Sequence, residues 1–188
     1  MNWLGKIIQT HVKSSDTVLD IGCGIFQAIS NSLNSSRSFG ITKKNDRLKC
    51  HSLLGCELVE KYIDVAKNHF PVLKMDVSDI QEYEKFPNNS FDVVICLDVL
   101  EHMKENIAIL IIHQMIRIAR KKVIIYTPSK FESNEKNIDN AWNLGENPFQ
   151  EHRSFVSPNM LKDFGFVISY PEPDKNTLAI LDKGIRMG

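Results

Sequence analysis

Paired cysteines are missing from this sequence. Cys23, Cys50, Cys56 and Cys96 form no CxxC pair and show no zinc spacing, and two of them fall in apolar, strand-like runs. That pattern predicts reduced thiols in a cytoplasmic protein rather than a thiolate metal site. Charge bias is missing too. The chain carries 23 Lys and Arg against 23 Asp and Glu, which removes bulk attraction to nucleic acid or an anionic membrane and leaves only local patches open. There is no long apolar run, since the longest uninterrupted stretch, IAILII, is far too short to span a bilayer. The opening MNWLGKIIQTHVKSSD lacks a long apolar core and a small-residue cleavage site, so no signal peptide is expected. Repeats and low-complexity tracts are absent. With 188 residues, a single domain over 1–188 is expected, long enough to bury a full core.

What is present alternates between two periods. Trp3, Ile7, Ile8 and Val12 share one helical face. TVLDI then ends at GCG, the pattern of a buried strand and a tight turn. AISNSL reads as a helix start. SLLGCEL, PVLKMDV, FDVVICL and KVIIYT read as four further strands, and VEKYIDVAKNHF and residues 104–120 as helices. Arg117, Arg120, Lys121 and Lys122 crowd the end of the latter, where cations favour the helix dipole, and read as charge on a solvated face. SPNMLKDFG reads as a capped short helix, and FVISYPEPDKNTLAILD as an antiparallel hairpin. Strands alternating with helices predict an α/β protein: a doubly wound, mostly parallel seven-stranded sheet with helices on both faces and a C-terminal antiparallel hairpin. Two segments stand apart. Residues 35–50 read as a surface insertion, and the polar stretch 128–150, with Trp142 and Phe149, as a lid-like loop.

The first turn, DIGCGIFQ, offers Gly22 and Gly24 but places Gln27 where a dinucleotide fingerprint needs its third glycine. Asp20 points further. A carboxylate at this strand end would repel a pyrophosphate and attract an ammonium, and S-adenosylmethionine (SAM) carries an ammonium, a sulfonium and no phosphate. An NAD-dependent oxidoreductase is thereby disfavoured. Glu57 closes the second strand, where a carboxylate can accept from both ribose hydroxyls, and Asp76 closes the third, where one can accept from an adenine amine.

VLDIGCG, GCELVEKYIDVAK, LKMDVSDI and FPNNSFDVVICLDVLEH together resemble the successive motifs of class I SAM-dependent methyltransferases. The resemblance implies a Rossmann-like methyltransferase fold. It also implies that Asp20, Gly22, Cys23, Gly24, Glu57, Asp76, Val77, Leu97 and Asp98 bind the donor. Two features depart from the family: Phe26 stands where a small residue is usual, and the interval between Asp20 and Glu57 is longer, the excess falling within 35–50.

The stretch LDVLEHMK brings Asp98, Glu101 and His102 to the end of the fourth strand. A helix start needs no metal to explain these residues. Yet acid-x-x-Glu-His here resembles the metal-binding segment of ubiquinone-biosynthesis O-methyltransferases and of the plant small-RNA 2′-O-methyltransferases, and HRSFVSP supplies His152 at a comparable downstream place. The resemblance implies a divalent cation on Asp98, Glu101, His102 and His152. That donor set suits Mn, Fe or Zn and admits Mg. His102 and Asp98 are the catalytic candidates, His102 serving as general base if no metal is present. The other histidines (His11, His51, His69, His113) read as structural or surface residues. The leading expectation is therefore O-methylation of a small-molecule hydroxyl, by a monomer or homodimer without a membrane span. The alternatives are a non-catalytic SAM-binding partner or regulator, and an RNA 2′-O-methyltransferase.

Overall fold

The computed structural model describes residues 3–25, 48–134, 144–145, 147–172 and 175–184. Along the chain it forms α1 (Trp3–His11), β1 (Thr17–Ile21), β2 (Ser52–Glu57), α2 (Glu60–Ala66), β3 (Val72–Lys74), β4 (Phe91–Leu97), α3 (Glu105–Ile118), β5 (Ala119–Pro128), α4 (Pro158–Asp163), β6 (Val167–Glu172) and β7 (Asn176–Asp182). Short 3₁₀ turns lie at Ile80–Lys85, Leu100–His102 and Pro148–Gln150. The strands form one seven-stranded sheet in the order β3-β2-β1-β4-β5-β7-β6. β1 to β5 run parallel, and β7 pairs antiparallel with both β5 and β6. This is the expected doubly wound sheet with its closing hairpin. The expected helix at AISNSL, Phe26 and Gln27, nearly all of the 35–50 insertion and Trp142 lie outside the described residues.

FDVVICL shows no polar alternation because both faces of β4 are covered. Val94 and Cys96 pack into the cluster that holds Ile111, Ile112 and Met115 of α3. Val93, Ile95 and Leu97 pack on the other side with Leu4, Ile8 and Val12. Ile111, Ile112, Met115 and Ile118 are completely buried, each contributing roughly 1.5–3 kcal/mol. The expected capped helix is α4. Ser157 Oγ accepts from the Met160 N–H at 3.2 Å, and Pro158 opens the first turn. Gly165, at φ +89°, closes it while the Phe166 N–H returns to the Leu161 carbonyl.

One expectation is corrected. Helix α3 stops at Ile118, so Arg120, Lys121 and Lys122 belong to β5 and are ion-paired rather than free on a solvated face. Asp16 and Asp92 are almost fully buried, and buried carboxylates require partners. Arg120 donates to Asp92 at 2.7 and 2.9 Å, and Lys121 reaches Asp16 at 2.7 Å and Asp92 at 3.0 Å. Lys122 pairs with Asp182. Arg117, still helical, donates to the carbonyls of Tyr83 and Phe86.

Burial alone would raise the Asp92 pKa. The Thr17 N–H at 3.0 Å, Lys121 and Arg120 outweigh it and hold the carboxyl well below its usual range. A folded pKa below the unfolded one gives stability that is complete above about pH 4 and is lost as pH falls further. Asp92→Asn is therefore expected to cost about 1–3 kcal/mol at pH 7. The gap to wild type should begin to narrow below about pH 4 and be smaller at pH 3 than at pH 7, which urea unfolding at both pH values will measure.

Candidate functional site

The winding of the sheet reverses between β1 and β4, and ligands of open α/β sheets bind beyond the carboxyl ends of the strands at such a switch point. The register aligns those ends: Asp20 faces Gly55 and Ile95, and Leu97 faces Tyr126. A cavity of about 1110 Å³ opens there. Every residue that the sequence marked for donor, metal or catalysis lines it, from Asp20 and the Gly22–Gly24 turn to His152.

The glycine turn is shaped by close approach. Gly22 (φ +69°) and Gly24 (φ +52°) take left-handed conformations. A Cβ on Gly22 would also come within 2.5 Å of the Val99 side chain. Gly55 in β2 has a spatial reason instead, since a Cβ there would lie 2.6 Å from Cys23 Sγ and from the Phe70 ring. The turn is fixed to the second strand twice. Gly22 and Cys23 N–H groups donate to the Cys56 carbonyl, and the Gly24 N–H donates to Glu57 Oε2 at 2.9 Å. Glu57 Oε1 accepts from Leu58 and Val59 at 2.9 Å each. Desolvation raises the Glu57 pKa while these N–H groups oppose it.

Asp20 is 3% exposed, and its carboxylate accepts no hydrogen bond among the described residues. Desolvation, then the charge of Glu57, pushes it well above the carboxylate range, so a cation placed there would be strongly favoured. Asp76 lies just past the end of β3, and its Oδ1 accepts from the Ser78 N–H and hydroxyl at 2.9 and 2.7 Å. Asp98 follows β4 in a left-handed conformation (φ +54°), which aspartate tolerates better than most residues. Its N–H donates to the Tyr126 carbonyl at 2.8 Å, while its carboxylate opens into the cavity. Asp98 is exposed on the cavity side, and partial desolvation, then Glu172, raises its pKa.

Of the four residues expected to share a cation, the structure gathers three. Glu101, His102 and His152 each offer a ligand atom, all within 4.8 Å of one another, and Asp98 falls outside the group. The left-handed turn at Asp98 separates its side chain from the 3₁₀ turn that carries Glu101 and His102. Glu101 is 3% exposed; desolvation, then Asp98, lifts its pKa strongly, against a hydrogen bond from the Thr127 hydroxyl at 3.3 Å. The His102 and His152 rings lie 5.1 Å apart. His102 Nδ1 donates to the Glu151 carbonyl at 3.2 Å, and His152 Nδ1 to the Glu132 carbonyl at 2.7 Å. A carbonyl can only accept, so both Nδ1 atoms carry the proton and both Nε2 lone pairs remain available. Burial pushes His102 down to about 4, with the Glu151 carbonyl opposing, which leaves the ring neutral at physiological pH. Two imidazoles oriented by carbonyls and a desolvated carboxylate fit a divalent cation.

Sequence reading did not single out Tyr62 or Asn147, which line the cavity beside Leu58 and Val59, nor the carbonyls of Glu132 and Glu151. Asparagine before proline at 147–148 was the one available signal. Phe149 is half exposed at the cavity wall, and His113 packs edge-on against Phe164, a structural use.

Glu57→Ala removes the acceptor for three N–H groups and frees the Gly24 turn. S-adenosylhomocysteine (SAH) binding should weaken by roughly 1–3 kcal/mol, read by calorimetry. Unchanged affinity would show that the donor does not use the end of β2.

The family described as "Methyltransferase domain" matches residues 19–126, more than half of the chain. No curated protein matches. Among solved structures, a SAM dependent methyltransferase from Archaeoglobus fulgidus superposes with a TM-score of 0.60 at 15% identity, over 95% of this chain and 94% of that one. The magnesium protoporphyrin IX methyltransferase from Synechocystis PCC 6803 with bound SAH gives a TM-score of 0.57 at 17% identity, over 95% and 78%. The same enzyme with bound SAM gives 0.52 at 18% identity, over 97% and 84%. These likenesses show the fold, and the family match over the strands that build the cavity shows the lineage. The chain belongs to the class I SAM-dependent methyltransferase family.

Proposed function

We propose that this methyltransferase moves the methyl group of SAM to a hydroxyl of a small molecule, with a divalent cation held by Glu101, His102 and His152 beside the acceptor. The observation that carries this reading is the two carbonyl-anchored imidazoles and the buried carboxylate on the wall of the donor cavity. Asp20 takes the donor ammonium, Glu57 the ribose and Asp76 the adenine amine. Gly22, Cys23, Gly24, Val77 and Leu97 shape the surface around them.

Methyl transfer is an in-line displacement. The acceptor oxygen forms a bond to the methyl carbon, the C–S bond breaks, and its electron pair returns to sulfur as the sulfonium becomes a thioether. Holding the two reactants in line in a closed cavity supplies much of the rate. A bound divalent cation supplies Lewis acidity that lowers the pKa of the acceptor hydroxyl. Asp98, raised toward neutrality and open to the cavity, accepts the departing proton. All of 1–188 serves as one catalytic domain, and Pro128, Glu132, Asn147, Phe149 and Gln150 of the lid-like loop line the substrate side of the cavity. No helix among the described residues is long and apolar enough to cross a membrane, and the four free cysteines fit a cytoplasmic setting.

Turnover is measured as SAH formation against a panel of phenols and sugars. Chelation should abolish it and Mn²⁺ restore it. His152→Ala should raise the Mn²⁺ needed for half-activity by about tenfold or more, as loss of a metal-site group does. Thoroughly chelated enzyme that keeps full activity would overturn the cation. His102 would then be the base, and activity should show an acid limb near pH 4 and a plateau through neutrality, as its lowered pKa dictates.

A further inference from the structure

The segment 147–152 touches both halves of the cavity. At one end Asn147, 3% exposed, donates from Nδ2 to the Tyr62 hydroxyl at 3.1 Å. Tyr62, 2% exposed, stands on α2, and its N–H donates to the carbonyl of Val59, whose own N–H is held by Glu57. At the other end the Glu151 carbonyl receives His102 Nδ1, and the His152 N–H donates to Asn134 Oδ1 at 2.7 Å. Arg153 and Ser154 then donate their N–H groups to the Glu101 carbonyl at 2.7 and 3.1 Å. One 3₁₀ turn joins the two ends: Asn147 Oδ1 accepts from the Phe149 N–H, and its carbonyl from the Gln150 N–H, both at 3.0 Å. There is no slack between the Tyr62 contact and the residues that carry and orient the histidines.

We infer that Tyr62 and Asn147 are positioning residues that link donor binding to assembly of the cation site. A donor seated against Glu57, Val59 and Tyr62 restrains the first turns of α2. The Tyr62–Asn147 hydrogen bond passes that restraint to the 3₁₀ turn, which sets His152 and the carbonyl that orients His102. This rests on the reading of Glu101, His102 and His152 as cation ligands. Such coupling is reciprocal by thermodynamic necessity.

The test uses the full chain, Mn²⁺ alone as the metal probe, and SAH. Tyr62→Phe keeps the buried ring and deletes only the hydroxyl, and Asn147→Ala removes the other partner. In wild type, SAH should tighten Mn²⁺ about 5- to 10-fold and Mn²⁺ should tighten SAH by the same factor, while in either variant the factor should fall below about twofold. Hydrogen exchange gives a second readout independent of metal. SAH should slow the amides of Gln150, His152, Arg153 and Ser154 in wild type and leave them unchanged in Tyr62→Phe. Equal slowing in wild type and variant, or none in wild type, overturns the inference. If Mn²⁺ fails to bind wild type while SAH still slows these amides only with the Tyr62 hydroxyl present, the cation reading falls and the link stands.

Discussion

Three main-chain N–H groups from two separate parts of the chain meet on one carboxylate, that of Glu57. Gly24 belongs to the turn after β1, while Leu58 and Val59 lead into α2. Without Glu57 the turn and the helix would be held together only by the sheet behind them. With it, the floor of the cavity becomes one rigid piece. Burial alone would favour the neutral acid, and the N–H groups oppose that preference. A carboxylate has capacity for about four hydrogen bonds, so a group already holding the scaffold retains room for a ligand hydroxyl.

The two ends of the sheet treat their acids in opposite ways. At the amino end of the parallel strands, Asp16 and Asp92 are met by Arg120 and Lys121. At the carboxyl end, Asp20, Asp98 and Glu101 meet no cation among the described residues, and Glu101 is held by its own N–H and the Thr127 hydroxyl. The first arrangement stabilises the fold. The second costs stability and gains it back only when positive charge arrives, as a sulfonium donor with its ammonium and a divalent ion would bring it. Elevated carboxyl pKa values concentrated at one end of a sheet mark that end as the one built for chemistry.

Much of this was legible in the sequence because the relevant signals are local. Apolar runs bounded by glycine gave the strands, Ser157-Pro158 and Gly165 gave α4, and the acids at successive strand ends marked residues that line one cavity. The boundary of α3 was misread because Arg120 and Lys121 look like helix-end cations until Asp16 and Asp92, distant in sequence, are brought beneath them. Asp98 was grouped with Glu101 and His102 on the resemblance of the acid-x-x-Glu-His segment, and neither resemblance nor spacing reveals that Asp98 itself takes a left-handed conformation. Gly55 looked like an ordinary strand residue, since its need is the volume of Cys23 and Phe70 rather than a turn. Asn147 and Tyr62 are far apart in sequence and only tertiary packing joins them.

The groups that orient His102 and His152 are carbonyl oxygens, and every residue has one. The identities of Glu132 and Glu151 are therefore free to drift without disturbing either ring, provided the chain passes through the same place. A comparison of sequences that scores columns by residue type would find the histidines and miss their supports. Beyond the histidines and the Asn134 and Asn147 side chains, what must stay constant here is the length and path of the backbone on either side of His152, so insertions and deletions are changes to which this corner of the enzyme is especially vulnerable.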